Sequence, residues 1–194
     1  AGLSSSQVGA LKAGQLNALS SSQLQAFTSN NIKGLTTAVI ASLTTDKIRL
    51  LQTSEIIGLT SSQVAALTTG QIAALQTNQI AAMTSVQISG LTSRQISSLT
   101  ADDVVALSTA NISGLSSSAI ATLSPTQIRA IETRDLVQMG TQQIAALTTA
   151  QVAALQSSQV GAMSSAQIAS LTSAKITAVS PAAIQALTSA NISG

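Results

Sequence analysis

The sequence predicts an all-α solenoid, a superhelical coil of short helices that are each one to two turns long. Three observations predict it. A unit of eight residues repeats twenty-four times from Leu3 without insertion or deletion. Two positions of the unit are apolar, and polar residues typical of a helix start stand between them at fixed spacing. In such arrays each unit buries its apolar face only against its neighbours.

The unit reads Leu-Thr/Ser-Thr/Ser-x-Gln-Ile-x-Ala, as in residues 67–74, and its positions are numbered here from the leading Leu. Position one is Leu or another apolar residue, and position six is aliphatic in all twenty-four copies. Position two is Ser or Thr in eighteen copies, and position five is Gln in thirteen. Position eight is nearly always Ala, Gly or Ser. These constant positions carry the structural information of the chain.

Neither a continuous helix nor a simple strand fits this unit. Eight helical residues at about 100° each advance about 800°, so an apolar stripe would slip by about 80° with every copy. In a strand, positions one and six would face opposite sides, because they differ in parity. Each unit must therefore contain a break in its secondary structure.

The break is expected just before position three, where the unit carries a capping box. Ser or Thr at position two pairs with Gln at position five, as Thr148 does with Gln151. The apolar residue before the cap is expected to pack on position six as a hydrophobic staple, as Leu147 does with Val152. The pattern predicts one short helix in each copy, starting after position two and ending near position eight.

Prolines and glycines agree with this register. Pro125 and Pro181 both fall at position three, the first helical residue, where proline is favoured. Several glycines fall at position eight, which suits a helix end that needs either a left-handed residue or close packing; they are Gly34, Gly58, Gly90 and Gly114.

A single unit cannot fold alone. Burying two aliphatic side chains contributes about 3–6 kcal/mol, whereas ordering eight residues costs about 12 kcal/mol. The difference must come from caps, hydrogen bonds and packing between stacked copies. The competing fold is a β-solenoid, since Thr, Ile and Val favour strands. Against it stand the helix-forming Ala, Gln and Leu and the placement of the prolines.

Composition argues against most kinds of functional site. The chain has no Cys and no His, so disulfides, thiol chemistry and the commonest metal ligands are not expected. A serine nucleophile would lack its base, and we predict neither enzyme activity, nor a small-molecule substrate, nor a cofactor. The net charge of +2 is small and scattered, so nucleic-acid binding is not expected. No apolar stretch is long enough for a membrane helix.

One cluster departs most from the consensus. Arg129, Glu132, Arg134 and Asp135 are the best candidates for a local contact surface. Asp103 and Asp135 occupy position five, where we expect exposed helix caps and local ion pairs, since negative charge favours a helix N-terminus. Nothing in the acidic residues has the spacing of a calcium loop.

The octads resemble repeat arrays of very large bacterial surface and secreted proteins. Stretches such as residues 147–155, Leu-Thr-Thr-Ala-Gln-Val-Ala-Ala-Leu, are similar to arrays described as adhesin-like or type I-secreted, and the resemblance covers the whole chain. It implies an extracellular or cell-surface location and a spacer-like or filament-forming role. It transfers no ligand-binding residue.

We therefore predict a structural protein in which residues 1–194 form one continuous solenoid without separate capping repeats. Such a protein would serve as the stalk, fibre or filament of a bacterial surface or secreted protein. Because solenoids ordinarily need polar terminal repeats, the apolar ends predict head-to-tail self-association. The alternative is a binding module, an adhesin or an ice- or glycan-binding surface, which would need a coherent stripe of non-consensus residues on one face.

Overall fold

The chain forms a coil of short helices, one for each octad. The computed structural model describes residues 2–193, and in that range it contains helices and turns but no strand. The prediction of an all-α solenoid is confirmed, and the β-solenoid alternative is wrong. Ala1 and Gly194, which the predicted domain includes, lie outside the described residues.

The elements, with α for α-helices and η for 3₁₀ helices, are α1 (Ser5–Gly9), α2 (Ala13–Ala18), α3 (Ser21–Leu24), η1 (Ile32–Gly34), α4 (Thr37–Ala41), α5 (Thr45–Leu50), α6 (Thr53–Gly58), α7 (Ser61–Ala65), α8 (Thr69–Ala73), α9 (Thr77–Ala82), α10 (Ser85–Ser89), α11 (Ser93–Ser97), α12 (Ala101–Val105), η2 (Ile112–Gly114), α13 (Ser117–Thr122), α14 (Pro125–Ala130), α15 (Thr133–Leu136), α16 (Thr141–Ala145), α17 (Thr149–Ala153), α18 (Ser157–Ala162), α19 (Ser165–Ala169), α20 (Ser173–Ile176), α21 (Pro181–Ile184) and α22 (Ser189–Ile192).

Each α-helix starts where the capping box predicts. In α8 the Thr68 hydroxyl accepts a hydrogen bond from the Gln71 amide nitrogen at 3.1 Å, and the Thr68 amide nitrogen donates to Gln71 Oε1 at 2.7 Å. Both prolines occupy the first helical residue of their helices. The helix then ends within one to two turns, and the next position-one residue returns to an extended conformation, as Met83 does with φ −63° and ψ 143°.

The corner between helices uses ordinary backbone conformations. No residue between 2 and 193 has a positive φ, so the glycines at position eight do not supply left-handed residues. They supply close packing instead. A Cβ on Gly34 would lie 2.0 Å from the Ser5 carbonyl oxygen, and one on Gly114 would lie 2.1 Å from that of Ser85. The residue at position eight therefore packs against the backbone at position three of a repeat in the previous turn. This close contact explains why the residue at position eight is small.

One hydrophobic core runs through the coil. Positions one and six are buried from repeat to repeat, and the core continues from Val8 to Ala183. Position six is fully enclosed in most copies, as for Ile72 and Ile144. The pairing of these two apolar positions, predicted from the staple pattern, thus extends into a single buried column.

Each turn of the coil contains between three and four repeats. Neighbouring turns bring together elements that lie three repeats apart in sequence, such as α8 with α11 and α6 with α9. Side-chain hydrogen bonds between turns join residues separated by 25 to 31 positions, which is between three and four octads. Within residues 2–193 no helix is long and apolar enough to cross a membrane.

The two 3₁₀ repeats share a departure from the consensus. Both carry Asn at position five and Gly at position eight: Asn31 with Gly34, and Asn111 with Gly114. Asn is one methylene shorter than Gln, so the same contact with the previous turn requires the backbones to come closer. The missing Cβ at position eight permits that approach, but Asn does not by itself fix the helix type, because Asn191 also occupies position five and its repeat forms the α-helix α22.

Candidate functional site

The most distinctive feature is a row of amide side chains that joins successive turns, which we call the amide ladder. Its repeating element is the side chain at position five, and Gln71 is typical. Its Oε1 caps its own helix, while its Nε2 donates to the backbone carbonyls of Leu43 at 2.7 Å and Ile40 at 3.0 Å. Gln71 is only 2% exposed. One amide thus satisfies a helix start and two carbonyls of the previous turn.

The ladder keeps the same register along the coil. Ten glutamines donate from Nε2 to the position-one carbonyl 28 residues earlier, at 2.6 to 2.8 Å. They are Gln63, Gln71, Gln79, Gln87, Gln95, Gln127, Gln143, Gln151, Gln159 and Gln167. Asn31 and Asn111 make the same bond to Leu3 at 3.0 Å and to Met83 at 3.1 Å. Buried backbone carbonyls are costly to leave unpaired, so the ladder supports every turn that it covers.

Lysine replaces the amide in two repeats and still donates. Lys47 Nζ bonds the Leu19 carbonyl, and Lys175 Nζ bonds the Ala145 carbonyl at 2.5 Å. Position five therefore places a hydrogen-bond donor toward the previous turn in most repeats, and the donor need not be an amide. Val39, Ala119 and Ala183 offer no donor there, and they fill the space with apolar atoms instead.

Three carboxylates also occupy position five, and all three are buried: Glu55 at 0%, Asp103 at 4% and Asp135 at 1% exposure. The expectation that Asp103 and Asp135 are exposed caps is wrong, because position five faces the previous turn. Asp103 does cap its helix, accepting from the Thr100 amide at 2.9 Å. Glu55 accepts from the Gln52 amide at 2.7 Å through Oε2. Glu55 Oε1 and Asp135 Oδ1 are buried without a hydrogen-bond partner.

Burial changes the acidity of two of these groups. Desolvation raises the pKa of Glu55, while the hydrogen bond from the Gln52 backbone opposes the rise. Desolvation also raises the pKa of Asp135; Arg134 opposes that rise, and Glu132 adds to it. In both cases the loss of water outweighs the favourable contacts, so the pKa of each carboxyl lies above its ordinary value.

The predicted contact cluster is divided by the fold. Arg129 and Arg134 are exposed and Glu132 is partly exposed, whereas Asp135 points into the coil. The expected ion pairs form: Arg134 Nη2 lies 2.6 Å from Glu132 Oε2, and Arg134 Nε lies 3.7 Å from Asp135 Oδ2. Three of the four residues therefore remain available at the surface, and Asp135 belongs to the ladder.

Exposed apolar residues do not form a continuous stripe of one repeat position. Ile57, Val105 and Val137 stand at position seven, and Val86 stands at position four. Among residues 2–193, no group of three or more acidic side chains is placed to hold a metal ion.

The two ends of the described coil differ in the polar groups that they expose. Gln7, Gln15 and Gln23 cap their helices but have exposed side chains, because no earlier turn covers them. An apolar recess of about 330 Å³ opens beside them, lined by residues that include Leu11, Leu19 and Phe27. At the other end, an opening of about 410 Å³ is lined by residues that include Ile168, Leu171, Ile176 and Leu187. Apolar side chains thus line both ends, while amide donors stand at the first end and position-one carbonyls at the other.

The sequence pattern identified the capping role of position five but not its bond to the previous turn. A signal was present, since a capping box accepts Glu as well as Gln, yet position five holds Gln in thirteen copies and Glu only at Glu55. A cap needs an acceptor alone; a strong preference for the amide indicates that a donor is also used.

Comparison with known families identifies a repeat family in this chain. The ALTTAQ repeat family matches residues 40–77, 72–101, 101–130 and 128–165, which together span residues 40–165 and more than half of the 194 residues. The matched segment contains nine of the ten ladder glutamines, from Gln63 to Gln159. No curated protein sequence matches the chain.

Proposed function

The chain belongs to the ALTTAQ repeat family, and from that premise we propose that it is a structural repeat protein that serves as a rigid stalk or fibre. The observation that carries this proposal is the amide ladder. Because the ladder amides bond the carbonyl 28 residues earlier in one constant register, successive turns are held at the same spacing along the coil. The residues at the constant positions of the octad form the core, the helix caps and the contacts between turns.

We place this role at a bacterial cell surface or in a secreted protein, as the resemblance of the octads implies. The surface residues suit exposure to solvent, because Ser, Thr and Asn side chains cover much of positions two to four. Fractionation of the source cells, followed by protease treatment of intact cells, tests this location. Recovery of the chain only from the cytosol would contradict it.

Self-association of the ends gives such a fibre a means of extension. Gln7, Gln15 and Gln23 present amide donors at one end. At the other end, the position-one carbonyls of Leu171 and Val179 stand where the next turn of the ladder would bind. Stacking a second copy would continue both the ladder and the apolar column, and a head-to-tail contact that does not close gives filaments.

Electron microscopy and light scattering of the purified 194-residue chain at rising concentration test the assembly. We expect particles whose length grows with concentration while their width stays constant. The informative variant is Q7E/Q15E/Q23E, because glutamate still accepts the cap hydrogen bond but cannot donate to a carbonyl. We expect it to remain as short single particles.

The matched control is Q25E/Q142E/Q185E, which adds the same three negative charges at three other exposed glutamines. We expect this control to assemble as the wild type does. Discrete particles of fixed length for the wild type at every concentration would overturn the end-stacking proposal. Equal loss of assembly in both triple variants would assign the effect to net charge alone.

A further inference from the structure

The buried carboxylates stand where the rest of the ladder places hydrogen-bond donors. The register of the ladder, 28 and 31 residues back, directs Glu55 at the carbonyls of Phe27 and Leu24. Its Oε2 is used by the cap, and its Oε1 is buried without a partner. In the next repeat, Gln63 occupies the same place and donates to Leu35 at 2.6 Å. An ionised carboxylate can only accept, so it cannot make this bond.

We propose that Glu55 and Asp135 fold as neutral carboxylic acids, so that the array holds two protons at its buried ladder positions and tightens its turns in acid. A protonated Oε1 of Glu55 has the donor that Gln supplies elsewhere, and it would bond the Phe27 carbonyl. Asp135 faces the carbonyls of Leu107 and Val104 in the same register. Ionisation would instead set a buried negative charge against carbonyl oxygens.

The surroundings of Glu55 contain no charge that would compensate an anion. Of the elements packed on α6, α9 carries no ionisable residue and η1 carries only the exposed Lys33. The preceding helix α5 carries Asp46, Lys47 and Arg49, and none of them forms an ion pair with Glu55 among residues 2–193. The raised pKa of Glu55 has desolvation as its largest cause and no contribution from a neighbouring charge.

Asp135 has one compensating neighbour, Arg134, and it lies beside Glu132. The packed helix α18 carries no ionisable residue, and the helix from the earlier turn, α12, carries Asp102 and Asp103. The charges around Asp135 are therefore mixed. We expect its proton to be held less firmly than that of Glu55.

The sign of the effect follows from proton linkage. A carboxyl whose pKa is higher in the folded chain binds more protons when folded, so its contribution to stability falls as pH rises. The contribution is fully present below the unfolded-state pKa of about 4.3 and is lost as pH rises through the folded-state pKa. Most paired carboxylates act in the opposite direction, so the effect is diagnostic.

The test compares thermal unfolding of the full chain with that of E55Q and D135N between pH 5 and pH 7.5. Both substitutions restore an amide donor, and we expect each to raise the Tm at pH 7.5 by about 2–4 °C, the shift that a stabilisation of 1 kcal/mol gives in a protein of this size. We expect the gain to shrink toward pH 5. The control D46N removes an exposed carboxylate and should show no such dependence.

A direct measurement uses the fact that the chain contains only two glutamates, Glu55 and Glu132. With ¹³C-labelled glutamate, the two carboxyl signals are assigned from E132Q and titrated by NMR. We expect the Glu55 signal to change at higher pH than the Glu132 signal. Titration of Glu55 in the ordinary range, or E55Q no more stable than wild type at pH 7.5, would overturn the proposal. Stabilisation by sodium or calcium salts that E55Q abolishes would also overturn it, because a cation would then hold the site.

Discussion

The first three repeats and the interior repeats carry the same glutamine at position five but use it differently. Gln15 caps its helix, with the Lys12 amide donating to Oε1 at 2.8 Å, and its side chain is exposed. Gln151 makes the same cap at 2.7 Å, and its Nε2 also donates to the carbonyls of Leu123 and Ile120. The comparison separates the two roles of one residue: the cap is local, and the ladder bond exists only where an earlier turn is present.

The largest expected effect removes the ladder bond where it is made. Q151A should destabilise the interior by about 2–4 kcal/mol, because it removes part of a cap and leaves the buried Leu123 carbonyl without its hydrogen-bond donor. Q15A should cost only about 0.5–1 kcal/mol, the value of its part of the cap. Hydrogen exchange of the amides in the flanking repeats measures both.

The variant Q151E sharpens this result, because it keeps the cap and removes only the donor. We expect Q151E to be less stable than wild type at neutral pH and to recover stability in acid as the buried carboxyl is protonated, whereas Q15E should be close to wild type at both pH values. Equal losses for Gln151 and Gln15 variants would show that the ladder bond contributes nothing beyond the cap.

An intermediate effect is expected at the glycines. A Cβ at Gly114 would lie 2.1 Å from the Ser85 carbonyl oxygen, whereas one at Gly14 would meet no atom within 4 Å. G114A should therefore cost about 1–3 kcal/mol through overpacking. G14A should be neutral or stabilising by up to about 1 kcal/mol, because it reduces the entropy of the unfolded chain. Urea unfolding of the two variants checks this, and similar midpoints would contradict the close approach between turns.

The smallest expected difference concerns the hydroxyl caps. The Ser4 hydroxyl in the first repeat accepts from the Gln7 amide at 3.3 Å, and the Thr68 hydroxyl accepts from the Gln71 amide at 3.1 Å. S4A and T68A should each cost about 1 kcal/mol. Since this bond lies within one octad, the two losses should agree when each is measured by hydrogen exchange of its own helix. A much larger loss for T68A would show that the hydroxyl also supports the contact between turns.

The local parts of this fold could be predicted from the sequence because their signals lie within one octad. The cap at Thr148, the proline at the first helical residue and the buried positions one and six all follow from spacings shorter than eight residues. The pattern also predicts a small residue at position eight, needed either for a left-handed conformation or for close packing. No residue between 2 and 193 has a positive φ, and Gly34 lies against Ser5, so close packing is the reason.

The parts that could not be predicted depend on the size of the coil. Which carbonyl Gln71 reaches is set by the number of repeats in a turn, and a strictly periodic sequence gives no indication of that number. Because the number of repeats in a turn cannot be read from the sequence, the sequence does not indicate that position five faces the previous turn. Asp135 is therefore predicted to lie in a surface cluster, although it is only 1% exposed. The stalk, filament and cell-surface roles stay predictions.

The direction of the ladder also determines how the coil would respond to force. Each Gln–carbonyl bond links one turn to the next, so tension applied to the ends of the coil would load the contacts between successive turns in series. Bonds loaded in series break one at a time, at the weakest turn first. Turns that contain Val39, Ala119 or Ala183, where position five has no donor, would therefore open before their neighbours, and the coil would lengthen in steps under load.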